Sequence, residues 1–381
     1  MKFDAIWRIV AVGVLLGGCK EAPSPTVLDG DGLPSEPWDS VVGEIGEPLF
    51  EMGESVGMFE IVGGLILDDG TVLIVTKQEL HYFDAEGEFI RKRGRAGAGP
   101  GEYGEISHVA RWAGDSVSVT DAQRRRTTII DQQGDHARTI PLLPGPWIAA
   151  ATFRLRDSTI VVADQPFRNT ARQGSMWRDT VALRRYSPSG EYLHDLLSVL
   201  GDEVFIGEEF GLNAIVPPPQ QKRLMVGAAG GRLVLASPDS ATVRFMSPSG
   251  EVEQTLQAAV IVQETDQSHA AVHMAEQLAR FEDDQVSQGR FRKLLDEVPL
   301  GGNVAYLSRM LSTANSDVWL AKYASAGYEP IRWLRVSVDG HFLGAISTPS
   351  GYRLLDVNGS TALLFQRDTA GVERTFVATV K

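Results

Sequence analysis

The chain holds few residue groupings able to do chemistry, and each has a definite geometric requirement. His269 and His273 are four residues apart, which places both imidazoles on one face of a helix, the arrangement of zinc-binding pairs. Ala270 stands where the glutamate of H-E-x-x-H would supply a general base. The pair would therefore act as metal ligands only, with Glu264 or Asp266 as a third; an exposed polar helix face accounts for the same pattern. Gly99-Pro-Gly-Glu-Tyr-Gly104 matches G-x-G-x-x-G by letter. That motif needs a strand before it and a helix after it. Here a β-rich run follows and Pro100 separates the first two glycines, so no dinucleotide loop is expected. G-x-S-x-G, a P-loop and a Cys–His nucleophile pairing are absent from the sequence. What remains suits binding. Arg95, Arg124 and Arg125 make a basic spot able to take a carboxylate or sulfate. Asp121, Asp164 and Lys322 close equivalent strands, as do Lys77, Ser237 and Gln366. Glu102 and Tyr103 sit in the glycine-rich run, and Trp147, Phe167 and Trp177 add aromatic surface that can stack on a sugar or peptide. Internal salt bridges, solvated hairpins and core packing use the same residue types.

Those groups need a scaffold, and the chain opens with an address. Lys2 and Arg8 flank the start of an apolar run, Ile9–Leu16, which ends in Gly17-Gly18-Cys19. A short apolar stretch behind basic residues reads as a secretion signal, and it falls short of the roughly 20 residues a spanning helix needs. Leu16-Gly17-Gly18-Cys19 resembles the lipobox of bacterial lipoproteins. The resemblance implies removal of residues 1–18, a diacylglycerol on the Cys19 thiol, and a mature protein anchored by lipid to a membrane of the cell envelope, outside the cytoplasm. Cys19 is the single cysteine, so no internal disulfide is expected. Residues 19–37, rich in Pro, Gly and acidic groups, read as a flexible tether. The chain carries 36 Lys and Arg against 49 Asp and Glu, a net charge of −13, which argues against nucleic acid as a partner.

From residue 38 to 381 the chain repeats. Each unit reads as strand, tight turn, strand, hairpin, strand, Asp/Ser-x-x-Gly turn, strand. The first turn recurs at Asp68–Gly70, Gly114-Asp115, Arg156-Asp157, Gly230-Gly231, Asn315–Asp317 and Asn358-Gly359. The second recurs at Asp84–Gly87, Asp131–Gly134, Ser187–Gly190, Ser247–Gly250 and Val338–Gly340. Uninterrupted units span about 42 to 45 residues, the length of a four-stranded propeller blade. The sixth unit stops before its outermost strand. A ring cannot leave that edge unpaired, so residues 38–50 are expected to supply the missing strand.

Asp121, Arg126 and Gly134 stand in the register of an NHL unit, and Ser237 to Gly250 keeps the spacing without the Asp and Arg. Gly97-Ala-Gly-Pro-Gly-Glu-Tyr103 resembles the Gly-Pro-Gly-Glu crossover of bacterial NHL-like propellers. The chain is thus similar to six-bladed β-propellers of the NHL-like kind. The expected fold is all-β: a six-bladed propeller closed by an N-terminal strand, with a partly helical insertion (263–300) between blades 4 and 5.

In such a blade, strands A to D run outward from the axis. The A–B and C–D turns share one face; the B–C loops and the crossovers between blades share the other. All the long segments fall on the second face: Gly94–Ile106, Gln165–Thr180, Val199–Lys222 and Ala258–Asn303. Within the last, Ser268–Glu297 is rich in helix formers. Val272, Leu278, Phe281, Val286, Leu294 and Leu295 suggest two amphipathic helices broken near Ser287-Gln288-Gly289, lying over that face as a lid or docking element. Long loops gathered on one face of a rigid scaffold are the usual seat of function. The expectation is a non-catalytic, extracytoplasmic propeller that binds a small molecule, glycan or protein there, without a cofactor. The alternative is a metal-dependent propeller hydrolase or lyase, lactonase-like or of the NHL lyase type. It would need a divalent ion and three or more carboxylate or imidazole groups converging at the axial mouth.

Overall fold

Two recurring turns cut the chain into strands. The first reverses the chain on residues of positive φ, among them Gly70 (88°), Ser158 (67°), Ser316 (64°) and Gly359 (59°). The second is one device used five times between strands C and D, and Asp368 and Gly371 repeat it between the second and third strands of the last sheet. Asp84, Asp131, Ser187, Ser247 or Ser337 opens it; its carbonyl takes the amide of the glycine three residues on, and its side-chain oxygen takes the next amide. That is why the sequence repeats Asp/Ser-x-x-Gly. The glycine is required twice over. Its φ is positive, 78° at Gly134 and 94° at Gly190. A Cβ would also strike the sheet before it: Gly134 against Tyr82 at 2.6 Å, Gly190 against Ile140 at 2.6 Å, and Gly87 against Phe50 at 2.8 Å.

The computed structural model describes residues 41–52, 56–114, 116–145, 147–166, 173–209, 212–219, 221–257, 285–299, 307–322, 331–368 and 371–381, with 271, 274, 275 and 278. The proposed signal, Cys19, the tether, Phe167, His269 and His273 lie outside the described residues, as does much of the insertion. Sheet 1 contains Ile61–Ile66, Val72–Thr76, Leu80–Phe83 and Phe89–Arg93, labelled A to D in chain order. Sheet 2 follows with Ile106–Arg111, Val117–Asp121, Arg126–Ile130 and His136–Pro141. Sheet 3 has Trp147–Arg154, Ile160–Pro166, Ser175–Tyr186, Tyr192–Glu209 and a fifth strand, Leu212–Val216. Sheet 4 has Met225–Ala229, Arg232–Ser237, Thr242–Met246 and Val252–Gln257. Sheet 5 has Leu307–Ser312, Val318–Lys322, Arg332–Val336 and Phe342–Ser347, and sheet 6 has Arg353–Asn358, Thr361–Arg367 and Glu373–Thr379. Each A strand packs beside the A strand of the next sheet, and that of sheet 6 returns to that of sheet 1. The six sheets therefore stand around one axis as a β-propeller.

The ring closes as expected in kind, with one correction. Phe50–Met52, not the whole of 38–50, is the fourth strand of sheet 6, antiparallel to Glu373–Thr379 with Phe50 opposite Val377. Val41–Glu44 runs instead along sheet 5, parallel to Phe342–Ser347, as an added fifth strand. Ile45 N–H bonds the Ser347 carbonyl and Lys381 N–H bonds the Glu44 carbonyl, so this segment bridges two sheets. A side chain at Gly43 would collide with the Lys381 carbonyl, which is why the chain can pass there only as glycine.

The elaborations also differ from a reading as loops. Strand B of sheet 3 pairs with Ala182–Tyr186 only, whereas Ser175–Val181 and Val199–Ile206 continue as a two-stranded ribbon beyond it. Much of Gln165–Thr180 and Val199–Lys222 is therefore strand. Helix α1, Gln285–Glu297, runs unbroken through Ser287-Gln288-Gly289. A Cβ on Gly289 would meet open space, so the glycine costs the helix about 1 kcal/mol relative to alanine without forcing a break. Leu278, Leu294, Leu295 and Val298 pack on Phe205 and Val216 of the ribbon. The insertion between sheets 4 and 5 thus builds a second small core with sheet 3, on the crossover face.

Candidate functional site

The innermost strands leave an open channel of about 650 Å³ along the axis. Small side chains make it wide: Gly63, Ala110, Ala150 and Gly227 line it, from four different A strands. A Cβ at Gly227 would lie 3.0 Å from both Met310 and the Ser312 hydroxyl, and one at Gly63 3.2 Å from Val109. Five of the six A strands carry a bulge against strand B, which adds local twist. The walls are basic in an acidic protein. Arg111, Arg154, Arg156, Arg223, Arg309 and Arg353 line the channel, against Asp202 and Asp356.

The two mouths differ. At the short-turn mouth the arginines are paired. Arg111 holds Asp356 through two bonds of 2.9 and 2.5 Å, and also donates to the Ile66 carbonyl at 2.8 Å. Asp356 takes the Ile66 amide at 2.7 Å. Arg111 belongs to sheet 2, Ile66 to sheet 1 and Asp356 to sheet 6, so this cluster ties the ring across the seam between its last and first sheets. Arg154 bonds the Ser158 hydroxyl at 2.7 Å, and Arg156 pairs with Glu253. At the crossover mouth, the Arg353 guanidinium lies 4.1 Å from the Phe365 ring centroid, and its Nε and Nη2 are buried without a hydrogen-bond partner. Burial, reinforced by the charge of Arg223, lowers Arg353 to about 10. The Arg223 Nε donates to Gln221 at 3.0 Å.

The residues singled out in sequence lie mostly elsewhere, in the supports of the crossover face. Glu102 knits its own loop. One carboxylate oxygen takes Ala98 and Gly99 amides at 2.9 and 2.8 Å, the other takes Arg95 at 2.9 and 2.7 Å. The Gly99 amide, then Arg95, holds its carboxyl below the usual range. Tyr103 is a core residue, 1% exposed, and burial pushes its hydroxyl to about 12; it offers no stacking surface. Asp121 is fully buried, accepting the Gly104, Glu105 and Arg124 amides at 2.9, 3.1 and 2.9 Å, and Arg126 donates to carbonyls of the same loop. The Asp and Arg of the NHL register therefore fasten the crossover to its sheet. Asp164, also fully buried, is held by Arg125 at 3.1 Å from sheet 2 and by Arg184 at 2.9 Å. Trp177 sits on the ribbon and donates to Asp179 at 2.7 Å. Arg124 is exposed and Lys322 half-buried, while the Trp147 side chain lies outside the described residues. Only a ring of structural ion pairs comes together; the basic channel was missed. Its signal was an arginine three residues before an A–B turn residue, Arg111 before Gly114 and Arg154 before Asp157.

His108, on the innermost strand of sheet 2, packs edge-on against Phe153 with ring centroids 5.0 Å apart, and its Nδ1 is buried without a partner. Burial lowers its imidazole to about 4. The unfolded chain, with a histidine near 6.5, takes up the proton first. This group's stabilisation is thus complete above pH 6.5 and is lost as pH falls toward 4, by about 3 kcal/mol at 1.36 kcal/mol per pH unit. Urea unfolding at pH 7 and pH 4.5 should show a smaller acid loss for His108→Leu than for the native chain. Equal losses would refute this.

Among the described residues no three His, Cys, Asp or Glu side chains converge as metal ligands. Fold and site together define a β-propeller with an open, arginine-lined axis. Solved structures share that fold at great sequence distance. A putative exported protein from Bacteroides fragilis superposes on 89% of this chain and 95% of its own, with a TM-score of 0.51 and 10% identity. A DUF4221-family protein from Bacteroides vulgatus covers 90% and 99%, with a TM-score of 0.52 and 10% identity. A virginiamycin B lyase from Staphylococcus aureus covers 84% and 80% at a TM-score of only 0.39 and 10% identity, too loose a fit to bear on chemistry. No protein-family model matches the chain, and no curated protein matches it in sequence.

Proposed function

We propose that this chain is a lipid-anchored, extracytoplasmic propeller that binds a small ligand at the crossover-side mouth of its axial channel. The channel carries the reading: about 650 Å³, within the roughly 300–1,000 Å³ of small-molecule sites. It is lined by glycines and alanines, and Val181 and Asp202 of the sheet 3 ribbon also face it. The lipobox at Cys19 supports the anchor. The Bacteroides fragilis protein of the same fold bears the name putative exported protein, and among the described residues no helix is long and apolar enough to cross a membrane.

One experiment has two arms. A small-molecule library is screened by thermal shift against the native chain and against Gly227→Leu and Gly63→Val, which narrow the channel from different walls. Ligands that stabilise the native chain should lose their effect in both variants; undiminished shifts would place binding elsewhere. In expressing cells, radiolabelled palmitate should enter the native chain and not Cys19→Ser. Equal labelling would remove the anchor from the proposal.

A further inference from the structure

We infer that the crossover-side mouth is a receptor for a carboxylate, in which Arg353 and Arg223 clasp the acidic group of a small organic acid whose body lies along the Gly- and Ala-lined wall. The inference rests on the channel being the binding site. Several half-buried or buried arginines of this acidic protein find a carboxylate: Arg111 with Asp356, Arg125 and Arg184 with Asp164, Arg335 with Asp317. Arg353 does not. Its Nε and Nη2 have no hydrogen-bond acceptor and its plane is occupied by the Phe365 ring. The nearby carboxylates are engaged by others. Glu373 takes the Ile61 amide at 2.7 Å and lies 3.9 Å from Arg367. Asp202 takes the Leu224 amide at 2.7 Å.

Buried N–H donors left unpaired carry their full desolvation penalty, and two like charges facing one cavity repel. An incoming oxyanion removes both penalties at once. A guanidinium offers a rigid, planar fork, which matches a carboxylate through two parallel bonds. Burial, then the Arg223 charge, lowers Arg353 to about 10, and the Glu373 carboxylate offsets them only in part. The apolar small-residue wall beside it suits the carbon body of an organic acid better than a bare inorganic ion.

The test is isothermal titration of the purified full chain at low salt with citrate, benzoate and inorganic phosphate. Citrate or benzoate should bind saturably, and Arg353→Met and Arg223→Gln should each weaken binding at least 10-fold. Arg138→Ala, at an exposed arginine on the outer strand of sheet 2 and away from the channel, should leave affinity unchanged. Arg223 is exposed, so its substitution reports binding even if the Arg353 variant folds poorly. Equal affinity in the native chain and Arg223→Gln overturns the inference, as does binding of phosphate alone. If neutral library compounds bind in a channel-dependent way and no carboxylate does, the inference fails while the proposed function stands. If neither class shows channel-dependent binding, both fail.

Discussion

A chain that begins at residue 56 should not yield a monomeric propeller. It lacks two strands, Val41–Glu44 along sheet 5 and Phe50–Met52 in sheet 6; the second is short, but Met52 is 1% exposed and packs with Ile61, Val72, Phe83, Leu363 and Val377, between sheets 6 and 1. Losing a buried side chain of this size costs about 2–5 kcal/mol, a large share of the roughly 5–15 kcal/mol that holds a domain together. The truncation also bares the edge of Glu373–Thr379, a ready template for pairing with another chain. Size-exclusion chromatography with light scattering should find oligomers or aggregate. The point version, Met52→Ala, should stay monomeric and lose about 2–5 kcal/mol in urea unfolding. A truncated monomer with an unchanged unfolding midpoint would show that the ring does not depend on these strands.

Arg111→Met should be comparably damaging, at about 3–5 kcal/mol, because it leaves the buried Asp356 carboxylate without its partner. The cost is that of a stranded charge, so it should shrink when the charge is also removed. Arg111→Met with Asp356→Asn is expected to be less destabilised than Arg111→Met alone. Urea unfolding of the two variants decides it: a double variant as weak as, or weaker than, the single one would mean that the pair contributes by its geometry and not by relieving a buried charge. The same logic extends to Asp164, where two arginines share one carboxylate.

What could be read from the residues was what the backbone imposes locally. The Asp/Ser-x-x-Gly turn recurs because one side-chain oxygen and one positive φ are both needed, and no other short pattern provides them. Counting those turns located the strands, the ring and the missing outer strand. Three things escaped. Gln165–Thr180 and Val199–Lys222 read as a long loop and a crossover, but the paired strands of the ribbon bury Val204, Phe205 and Ile206, with Phe205 packed against helix α1. Helix α1 was split at Gly289, where the cost of a glycine is too small to end a helix packed on Phe205 and Val216. Above all, Asp121 and Asp164, open in sequence to a polar site or to internal salt bridges, are internal ion pairs, Tyr103 is core, and Glu102 ties its own loop. Acidic and aromatic residues at strand ends look the same whether they face a ligand or an arginine from the next sheet, and only three-dimensional placement separates the two. Conversely, Arg223 and Arg353 come from sheets 4 and 6 and meet at one mouth only because the ring closes.

The N-terminal segment has a mechanical side. A pull arriving along the chain from before residue 41 would reach two fastenings in series. Val41–Glu44, laid along residues 345–347, takes the load first. Only after it peels away would force bear on Phe50–Met52, the strand whose departure opens the ring. The outer fastening thus stands between any such pull and the strand that closes the ring, as a strain relief stands where a cable enters a housing.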